Sequence, residues 1–379
     1  NNYSDGNNLN GHLDEGHDYE YSVLGQTISD VIRGCAEIKA DPSQGSGFLI
    51  GKISNNNPVF ITNYHVIKKA LQDPNPNIYI KLGDKADYYP QRAQVLGYDA
   101  DMDIAVLTLD KQIDDIDNRI LSWGNSRAVY KAQQIFAIGN PLGYGTSLTQ
   151  GVISISEEIL EMLDDNGTKK DTSDDRIIYM HVIRHDAAIN SGNSGGVLVN
   201  QNGEVIGINS YAYLAEIIDI DVKIVENYRY FAQGMGLAIP SNLAKAICDF
   251  VLTNYQGEPI DAAAAREGLE ECLKNIKPAL DDEDNNILEV EEDIDALKLK
   301  KDDKIVKINQ IGINEMFFDT TQVCSPSIIL ELCYYYNGKT ANENELKITV
   351  LRNGQEQEIS TGYYLNMELP EWLQELPFD

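Results

Sequence analysis

The chain has 379 residues, of which 60 are acidic and 30 basic, and its formal charge is -30. Such an acidic surface repels phosphate backbones and anionic membranes, because binding to either depends on clustered basic groups, so we expect no nucleic-acid partner. The length predicts two or three domains of about 100 to 200 residues, and 21 tyrosines with many Val and Ile residues favour strands over helices.

No metal or cofactor site is indicated by the sequence. The cysteines are widely spaced and form no C-x-x-C pair, so neither a zinc site nor a disulfide framework is signalled, and the redox compartment stays open. They are Cys35, Cys248, Cys272, Cys324 and Cys333. The acidic runs lack the spacing of a calcium-binding loop and are expected to be solvated loops. The chain begins at Asn1 and has no apolar run that could cross a membrane, so we expect any signal peptide or anchor to precede it.

The first part of the chain, residues 1–20, is rich in Asn, Asp and Gly and predicts a flexible lead-in. His12 and His17 lie in it, without the further ligand that a metal site needs. From Gly45 to Pro240, short apolar or alternating runs are bounded by Gly, Asn, Asp and Pro, which is typical of an all-β sandwich or barrel pair. The runs are GSGFLIG, PVFIT, NIYIKL, AQVLGY, DIAVLTL, QIFAIG, LTQGVISIS, IIYMHVI, GVLV, EVIGINS and MGLAIP.

Two longer segments interrupt this pattern, LEMLDDNGTKKDTSDD and the stretch from Leu214 to Tyr230, and long loops in compact domains are often functional. At Ser241, a capping residue begins a run with helical spacing that predicts a helix over 241–257 and a domain boundary. The remainder, 258–379, contains the strand signals DKIVKINQIGI and ELKITVLRNGQEQEI, with an Asn-Gly turn at 353–354, and predicts a separate α+β module.

Three distant segments carry residue types that acyl transfer requires: ITNYHVI around His65, DADMDIAVLTL around Asp103 and INSGNSGGVLV around Ser194. A serine hydroxyl is a weak nucleophile until an imidazole takes its proton, and that imidazole needs a carboxylate to fix its tautomer. The glycines around Ser194 permit a tight turn that aims the N–H groups of Gly192 and Ser194 at one point, as an oxyanion hole. The chain order His, Asp, Ser is that of chymotrypsin-type enzymes.

The sequence also resembles the HtrA/DegP-like trypsin-fold proteases, since GSGFLI, TNYHVI, DMDIAVL, GNPLG, HDAAINSGNSGGVLVN, NGEVIGINS and GLAIPSN occur in family order over about 45–242. The resemblance implies a double six-stranded β-barrel over 21–240, divided at about residue 120, and a peptide-binding PDZ-like domain over 258–379. It implies an ATP-independent endopeptidase that acts on unfolded or misfolded proteins in the cell envelope, outside the cytoplasm, as a homotrimer or higher oligomer. No cofactor or metal is implied.

Carried over by position, the resemblance makes His65 the general base, Asp103 its orienting acid and Ser194 the nucleophile, with Gly192 and Ser194 as oxyanion donors. Ile189 and Ile208 would wall an apolar S1 pocket, or they are core residues only. Ala188 stands where an enzyme specific for Lys or Arg carries Asp, so we expect cleavage after small or medium aliphatic residues.

Other positions carry weaker expectations. We expect Asp101 to be an exposed loop acid, and His185, a possible rival base, to face away from the site along its strand together with His181. The segment Glu157–Asp175 is a candidate regulatory loop.

In the C-terminal module, Asp302 and Gln310 replace glycines that are common in PDZ domains, and Gly268-Leu269 is a candidate carboxylate-binding loop. The module binds peptide C-termini by β-augmentation, or it is a structural α+β cap. The alternatives for the whole chain are a peptide-binding chaperone or sensor scaffold with a resting barrel, and a processing protease with a single target.

Overall fold

The computed structural model describes residues 23–53, 56–82, 90–139, 146–164, 176–190, 192–210, 235–264, 275–281, 286–308, 311–313 and 345–364. The flexible lead-in expected at 1–20, the segment 214–230 and the pair Gly268-Leu269 lie outside these residues. Within them, no helix is long and apolar enough to cross a membrane, and no three His, Cys, Asp or Glu residues are grouped as metal ligands would be.

The first six strands close into a barrel in the order β5-β4-β1-β2-β3-β6, with β5 also paired to β6. Helix α1 (Val23–Gly34) precedes them in the sequence, and the short helix α2 (Tyr64–Ile67) lies between the third and fourth strands. The strands are β1 (Cys35–Ala40), β2 (Ser43–Ile53), β3 (Asn57–Thr62), β4 (Ile78–Leu82), β5 (Gln91–Asp99) and β6 (Ile104–Leu109). The strand pattern in the sequence was recognised only from Gly45 onward, so α1 and β1, which precede it, were not predicted.

Strand β6 shows why the strands of this barrel are nearly continuous apolar runs. All six of its residues are buried. The apolar ones alternate between two hydrophobic clusters, and the hydroxyl of Thr108 donates to the carbonyl of Pro58 at 2.8 Å. Ala105 and Leu107 pack in one cluster with Phe60 of β3, whereas Ile104 and Val106 pack in a larger cluster that extends to the second barrel. Because successive side chains of a strand point to opposite faces, a strand with apolar partners on both sides needs no polar face.

The next six strands form a second closed barrel in the order β10-β11-β12-β9-β8-β7. They are β7 (Gln134–Gly139), β8 (Ser147–Asp164), β9 (Arg176–His185), β10 (Val197–Val199), β11 (Val205–Asn209) and β12 (Gly236–Pro240). All the pairings between them are antiparallel. The two closed barrels confirm the predicted fold class.

The segment expected as a regulatory loop at Glu157–Asp175 is partly strand, which corrects that expectation. Strand β8 continues through Asp164, which pairs with Arg176 of β9. The acidic run tolerates this because Glu158, buried in the sheet, accepts a hydrogen bond from Nε of Arg184 at 2.7 Å. Residues 165–175 lie outside the described part of the chain.

Helix α3 (Ser241–Asn254) and strand β13 (Ile260–Asp261) follow the second barrel. Ser241 is the first helical residue rather than the cap, and its hydroxyl donates to the carbonyl of Gly124 at 2.8 Å. The helix ends three residues before the predicted 257. Strand β13 then returns to the first barrel and pairs in parallel with β5.

A third sheet contains β14 (Ile276–Leu280), β15 (Asn286–Val290), β16 (Lys304–Ile308), β17 (Ile311–Gly312), β18 (Glu345–Arg352) and β19 (Gln355–Tyr364). Its order is β14-β15-β16-β18-β19, and β17 pairs with β16. Asn353 and Gly354 have φ of 54° and 75°, so the Asn-Gly turn expected between the last two strands is confirmed as a type I′ hairpin turn. Asp302 occupies a position where glycine is common in PDZ domains. Its φ of 69° keeps the left-handed conformation that glycine favours.

Candidate active site

His65 lies in helix α2, which follows β3 at the edge of the first barrel. Asn63 precedes the helix in an extended conformation, and its side-chain amide donates to the carbonyl of Asp103 at 2.9 Å. Val66 and Ile67 are buried in the core of the first barrel. These apolar residues anchor the helix, while the side chain of His65 keeps 25% of its surface exposed.

Asp103 lies in the turn between β5 and β6, and its side chain is fully buried. The carboxylate of Asp99 shapes the turn by accepting hydrogen bonds from the backbone N–H groups of Asp101 and Met102 at 3.1 and 3.0 Å. Asp103 itself has φ of 54°, a conformation that non-glycine residues seldom adopt and that clusters at functional sites. Asp101, expected as an exposed loop acid, is buried in this turn with 4% of its surface exposed, and that expectation was wrong.

The structure brings His65 and Asp103 together. Nδ1 of His65 lies 2.8 Å from Oδ2 and 3.0 Å from Oδ1 of Asp103, and the backbone N–H of His65 donates to Oδ1 at 2.9 Å. The hydroxyl of Ser210 donates to Oδ2 at 2.9 Å. A carboxylate can only accept, so Nδ1 carries the proton of the neutral ring. Nε2 is then the nitrogen that can accept a proton from a serine.

Ser194 lies in a tight loop between β9 and β10 whose backbone is held by the first barrel. The N–H of Ser46 donates to the carbonyl of Ser194 at 2.7 Å, and the hydroxyl of Ser46 donates to the carbonyl of Gly192 at 2.6 Å. Gly192 and Gly195 have φ of 97° and 81°, which glycine adopts readily. Both residues expected as oxyanion donors therefore lie in one tight loop, and their catalytic role stays a prediction.

Two glycines show how closely the three segments approach. At Gly195 an added Cβ would lie 2.2 Å from the carbonyl oxygen of Ser46 and 2.3 Å from Oγ1 of Thr62. At Gly45 an added Cβ would lie 2.6 Å from Val66, the neighbour of His65, and 2.9 Å from the carbonyl oxygen of Ser194. The loop that contains Ser194 and helix α2 therefore meet across positions where only a hydrogen atom fits.

The residues expected to wall the S1 pocket pack in different hydrophobic clusters. Ile208 of β11 is fully buried and packs in the large cluster with Val197 and Ile239. Ile189 is partly buried and packs against a different cluster, which contains Ile183 and Ala187. Ile208 therefore serves as core here, and the S1 assignment remains a prediction that the packing does not favour.

Other groups surround the two histidines of β9. His185 is fully buried, and its ring lies against Gly236, where an added Cβ would be 2.2 Å from Cε1. Burial lowers the pKa of His185 to about 4, and the nearby carboxylate of Asp186 only partly offsets it. Nε2 of His181 lies 3.1 Å from a carboxylate oxygen of Glu157.

Sequence reasoning missed the groups that support the site. Ser210 donates to the carboxylate of Asp103, and Ser46 holds the loop that contains Ser194 through its N–H and hydroxyl. Thr62 in turn donates to the carbonyl of Ser46 at 2.6 Å. The available signal was position: Ser210 ends the EVIGINS run directly after β11, and Ser46 lies inside GSGFLI.

The fold and the site define a trypsin-like peptidase domain, and a family model described as "Trypsin-like peptidase domain" matches residues 45–208. "Serine protease Do-like HtrA" of Bacillus subtilis (strain 168) is 31% identical over 258 residues, which cover 68% of this chain and 49% of that protein. "Probable periplasmic serine endoprotease DegP-like" of Rickettsia prowazekii (strain Madrid E) is 32% identical over 206 residues, 54% of this chain and 33% of that protein.

"Protease Do-like 1, chloroplastic" of Arabidopsis thaliana is 36% identical over 177 residues, 46% of this chain and 35% of that protein. The chain is homologous to the HtrA/DegP serine proteases, as the resemblance of its motifs indicated. It spans about half the length, or less, of the curated relatives it matches.

Proposed function

We propose that the protein is a serine endopeptidase that hydrolyses peptide bonds through an acyl-enzyme on Ser194. The observation that carries the proposal is the pairing of His65 Nδ1 with the buried carboxylate of Asp103 at 2.8 Å. His65 lies on helix α2, which adjoins the loop of Ser194. The pairing leaves Nε2 of His65 as the base.

The chemistry then uses only groups of this chain. Nε2 of His65 takes the proton of Ser194 Oγ as that oxygen forms a bond with the peptide carbonyl carbon, and Asp103 stabilises the resulting imidazolium. The N–H groups of Gly192 and Ser194 stabilise the negative oxygen, an effect of about 3 to 4 kcal/mol for each donor in enzymes of this kind. The imidazolium gives its proton to the leaving amine, and water then hydrolyses the ester in the same way.

The substrate class is a second part of the proposal. One relative is named as a probable periplasmic serine endoprotease, and we infer that this chain acts outside the cytoplasm on unfolded or misfolded polypeptides, in protein quality control. Position 188 is Ala, so a Lys or Arg before the scissile bond would lack a counter-charge, and we propose cleavage after small or medium aliphatic residues instead. The third sheet supports a PDZ-like module that binds peptide C-termini, and the assembly is a homotrimer or a multiple of it.

Cleavage of an unfolded protein tests the activity. Purified protein incubated with reduced, unfolded casein should give fragments whose new C-termini are mostly Val, Ile, Ala or Leu, as read by mass spectrometry. Ser194→Ala should give none, whereas Ser29→Ala, at an exposed helix position, should cut like the wild type. Dominant cuts after Lys or Arg would contradict the specificity.

A folded wild type that never cuts would favour a peptide-binding scaffold instead. Sedimentation at micromolar concentration tests the assembly, and a monomer alone would refute the trimer.

A further inference from the structure

The segment after helix α3 docks on the first barrel beside the turn that holds Asp103. Strand β13 pairs in parallel with β5, Ile260 opposite Gly97 and Asp261 opposite Tyr98. At Gly97 an added Cβ would lie 2.6 Å from the carbonyl oxygen of Ile260 and 2.7 Å from Val251 of helix α3. The surface of β5 is therefore shaped to receive both the helix and the strand that lead to the third sheet.

The same docked position contacts the helix of His65 through two aromatic rings. Tyr98 stacks on Tyr64 with ring centroids 4.9 Å apart and an angle of 26° between the planes. Tyr64 directly precedes His65 and is the first residue of α2. Burial, together with the carboxylate of Asp261, raises the pKa of Tyr98, which agrees with β13 covering one side of this residue.

Helix α2 has only four residues and too few internal hydrogen bonds to hold its own geometry. Its position depends on the hydrogen bond from the backbone N–H of His65 to Asp103 and on packing. Val66 and Ile67 anchor one side in the core, and the ring of Tyr64 anchors the beginning of the helix on Tyr98. A catalytic base works only when its neighbours hold it within about 0.5 Å of the productive geometry. Loss of the aromatic anchor would let the ring of His65 drift relative to Ser194.

We propose that the stacked pair Tyr64–Tyr98 is a positioning element for His65, and that docking of β13 on β5 holds it in place. The segment joining the barrels to the third sheet thereby sets the activity of Ser194. Neither tyrosine takes part in the bond-making steps. The proposal deepens the proposed peptidase function and rests on it for its kinetic readout.

Variants of Tyr98 separate positioning from simple packing. Tyr98→Ala should lower kcat about tenfold, the loss expected when one aromatic pair ceases to support the transition state, with KM within about twofold. Tyr98→Phe keeps the ring and should restore kcat. Tyr130→Ala, at a tyrosine with 63% of its surface exposed, is the matched control and should resemble the wild type. Equal kcat in Tyr98→Ala and the wild type would overturn the proposal.

Variants of the docked strand test the second part. Gly97→Ala leaves no room for Ile260 and should lower kcat to the level of Tyr98→Ala. Ile260→Pro puts a residue without a backbone N–H into β13, which should weaken the pairing while leaving the sequence of β5 unchanged. It serves if Gly97→Ala does not fold, as judged by its thermal unfolding. Wild-type kcat in a folded Ile260→Pro protein would refute the role of β13.

A readout independent of catalysis keeps the proposal separate from the proposed function. In the protonated state, the Nδ1–H of a histidine bonded to a carboxylate gives a downfield proton NMR resonance, which His65→Ala assigns. Tyr98→Ala and Ile260→Pro should shift or broaden this resonance, and Tyr98→Phe should retain it. If the wild type cuts nothing but the resonance responds in this way, the peptidase proposal fails and the positioning proposal stands. An unchanged resonance in both variants contradicts the positioning proposal whatever the activity.

Discussion

Replacement of Asp103 by Asn probes the arrangement at its most constrained point. Oδ1 of Asp103 accepts from the backbone N–H of His65 at 2.9 Å, and Oδ2 accepts from the hydroxyl of Ser210 at 2.9 Å. An amide must place its oxygen toward the backbone N–H, which cannot reverse its role, and its NH2 group where Oδ2 was. The hydroxyl of Ser210 can rotate and become an acceptor. The Nδ1 atom of His65 must then accept a hydrogen bond from the new NH2 group, so the ring proton moves to Nε2. A protonated Nε2 cannot accept the proton of Ser194.

The expected loss is large because the wrong tautomer removes the base while leaving the shape intact. We predict that Asp103→Asn lowers kcat about 10⁴-fold, the magnitude known for this change in a chymotrypsin-type triad, or about 5 kcal/mol of transition-state stabilisation. KM should change little. The assay is hydrolysis of a chromogenic peptide with an aliphatic residue before the scissile bond, with kcat and KM measured separately.

Two controls accompany this measurement. Thermal unfolding should show that Asp103→Asn remains folded, because the two side chains have the same shape and every donor keeps a partner. Asp110→Asn, at an exposed carboxylate just beyond β6, should leave kcat unchanged. A folded Asp103→Asn protein that retains more than about a tenth of the wild-type kcat would refute the tautomer argument.

Three further outcomes follow from the geometry. Ser210→Ala removes a hydrogen bond to the carboxylate of Asp103, and kcat should fall about 10- to 100-fold at constant KM, since such bonds contribute about 1.5 to 3 kcal/mol; an unchanged kcat would contradict it. Gly195→Ala should give little folded protein by circular dichroism, because its Cβ would lie 2.2 Å from the carbonyl oxygen of Ser46; a native-like melting curve would count against this packing. The pKa of His185 is about 4 in the folded protein, against an ordinary value of 6.5. Between these two pH values, the unfolded chain therefore binds a proton at His185 and the folded protein does not. The free energy of unfolding should therefore fall as the pH drops from 6.5 to 4, by up to about 3 kcal/mol relative to His185→Gln, and parallel pH profiles would show the ring is not buried as described.

Much of the fold could be predicted because its signals are local. The strands of both barrels are apolar runs with turn residues at their ends, and the Asn353-Gly354 turn is a short pattern with a known conformation. The acidic end of β8 could not be recognised in this way, because Glu158 is compensated by Arg184 on the neighbouring strand. Strand β1 was missed because its buried Glu37 interrupts the apolar pattern; the ion-pair partner of Glu37 is Lys39, two residues along the same strand.

The site shows the same division. His65, Asp103 and Ser194 could be proposed as candidates because each lies in a short segment whose residue types suit its chemistry, and the structure pairs the first two. Ser210 and Ser46 were not, because an ordinary serine gains its role only when its partner, far away along the chain, folds against it. The buried position of Asp101 also depends on a turn organised by Asp99, which no spacing rule describes.

The most direct test of the central claim is the chemistry of Ser194 itself. A fluorophosphonate probe reacts with a serine only when a neighbouring base and an oxyanion site activate it. Mass spectrometry of the labelled wild type should find the adduct on Ser194, with none in Ser194→Ala and a rate at least about 100-fold slower in His65→Ala. An adduct on another serine, or equal labelling of Ser194 in His65→Ala, would contradict the account.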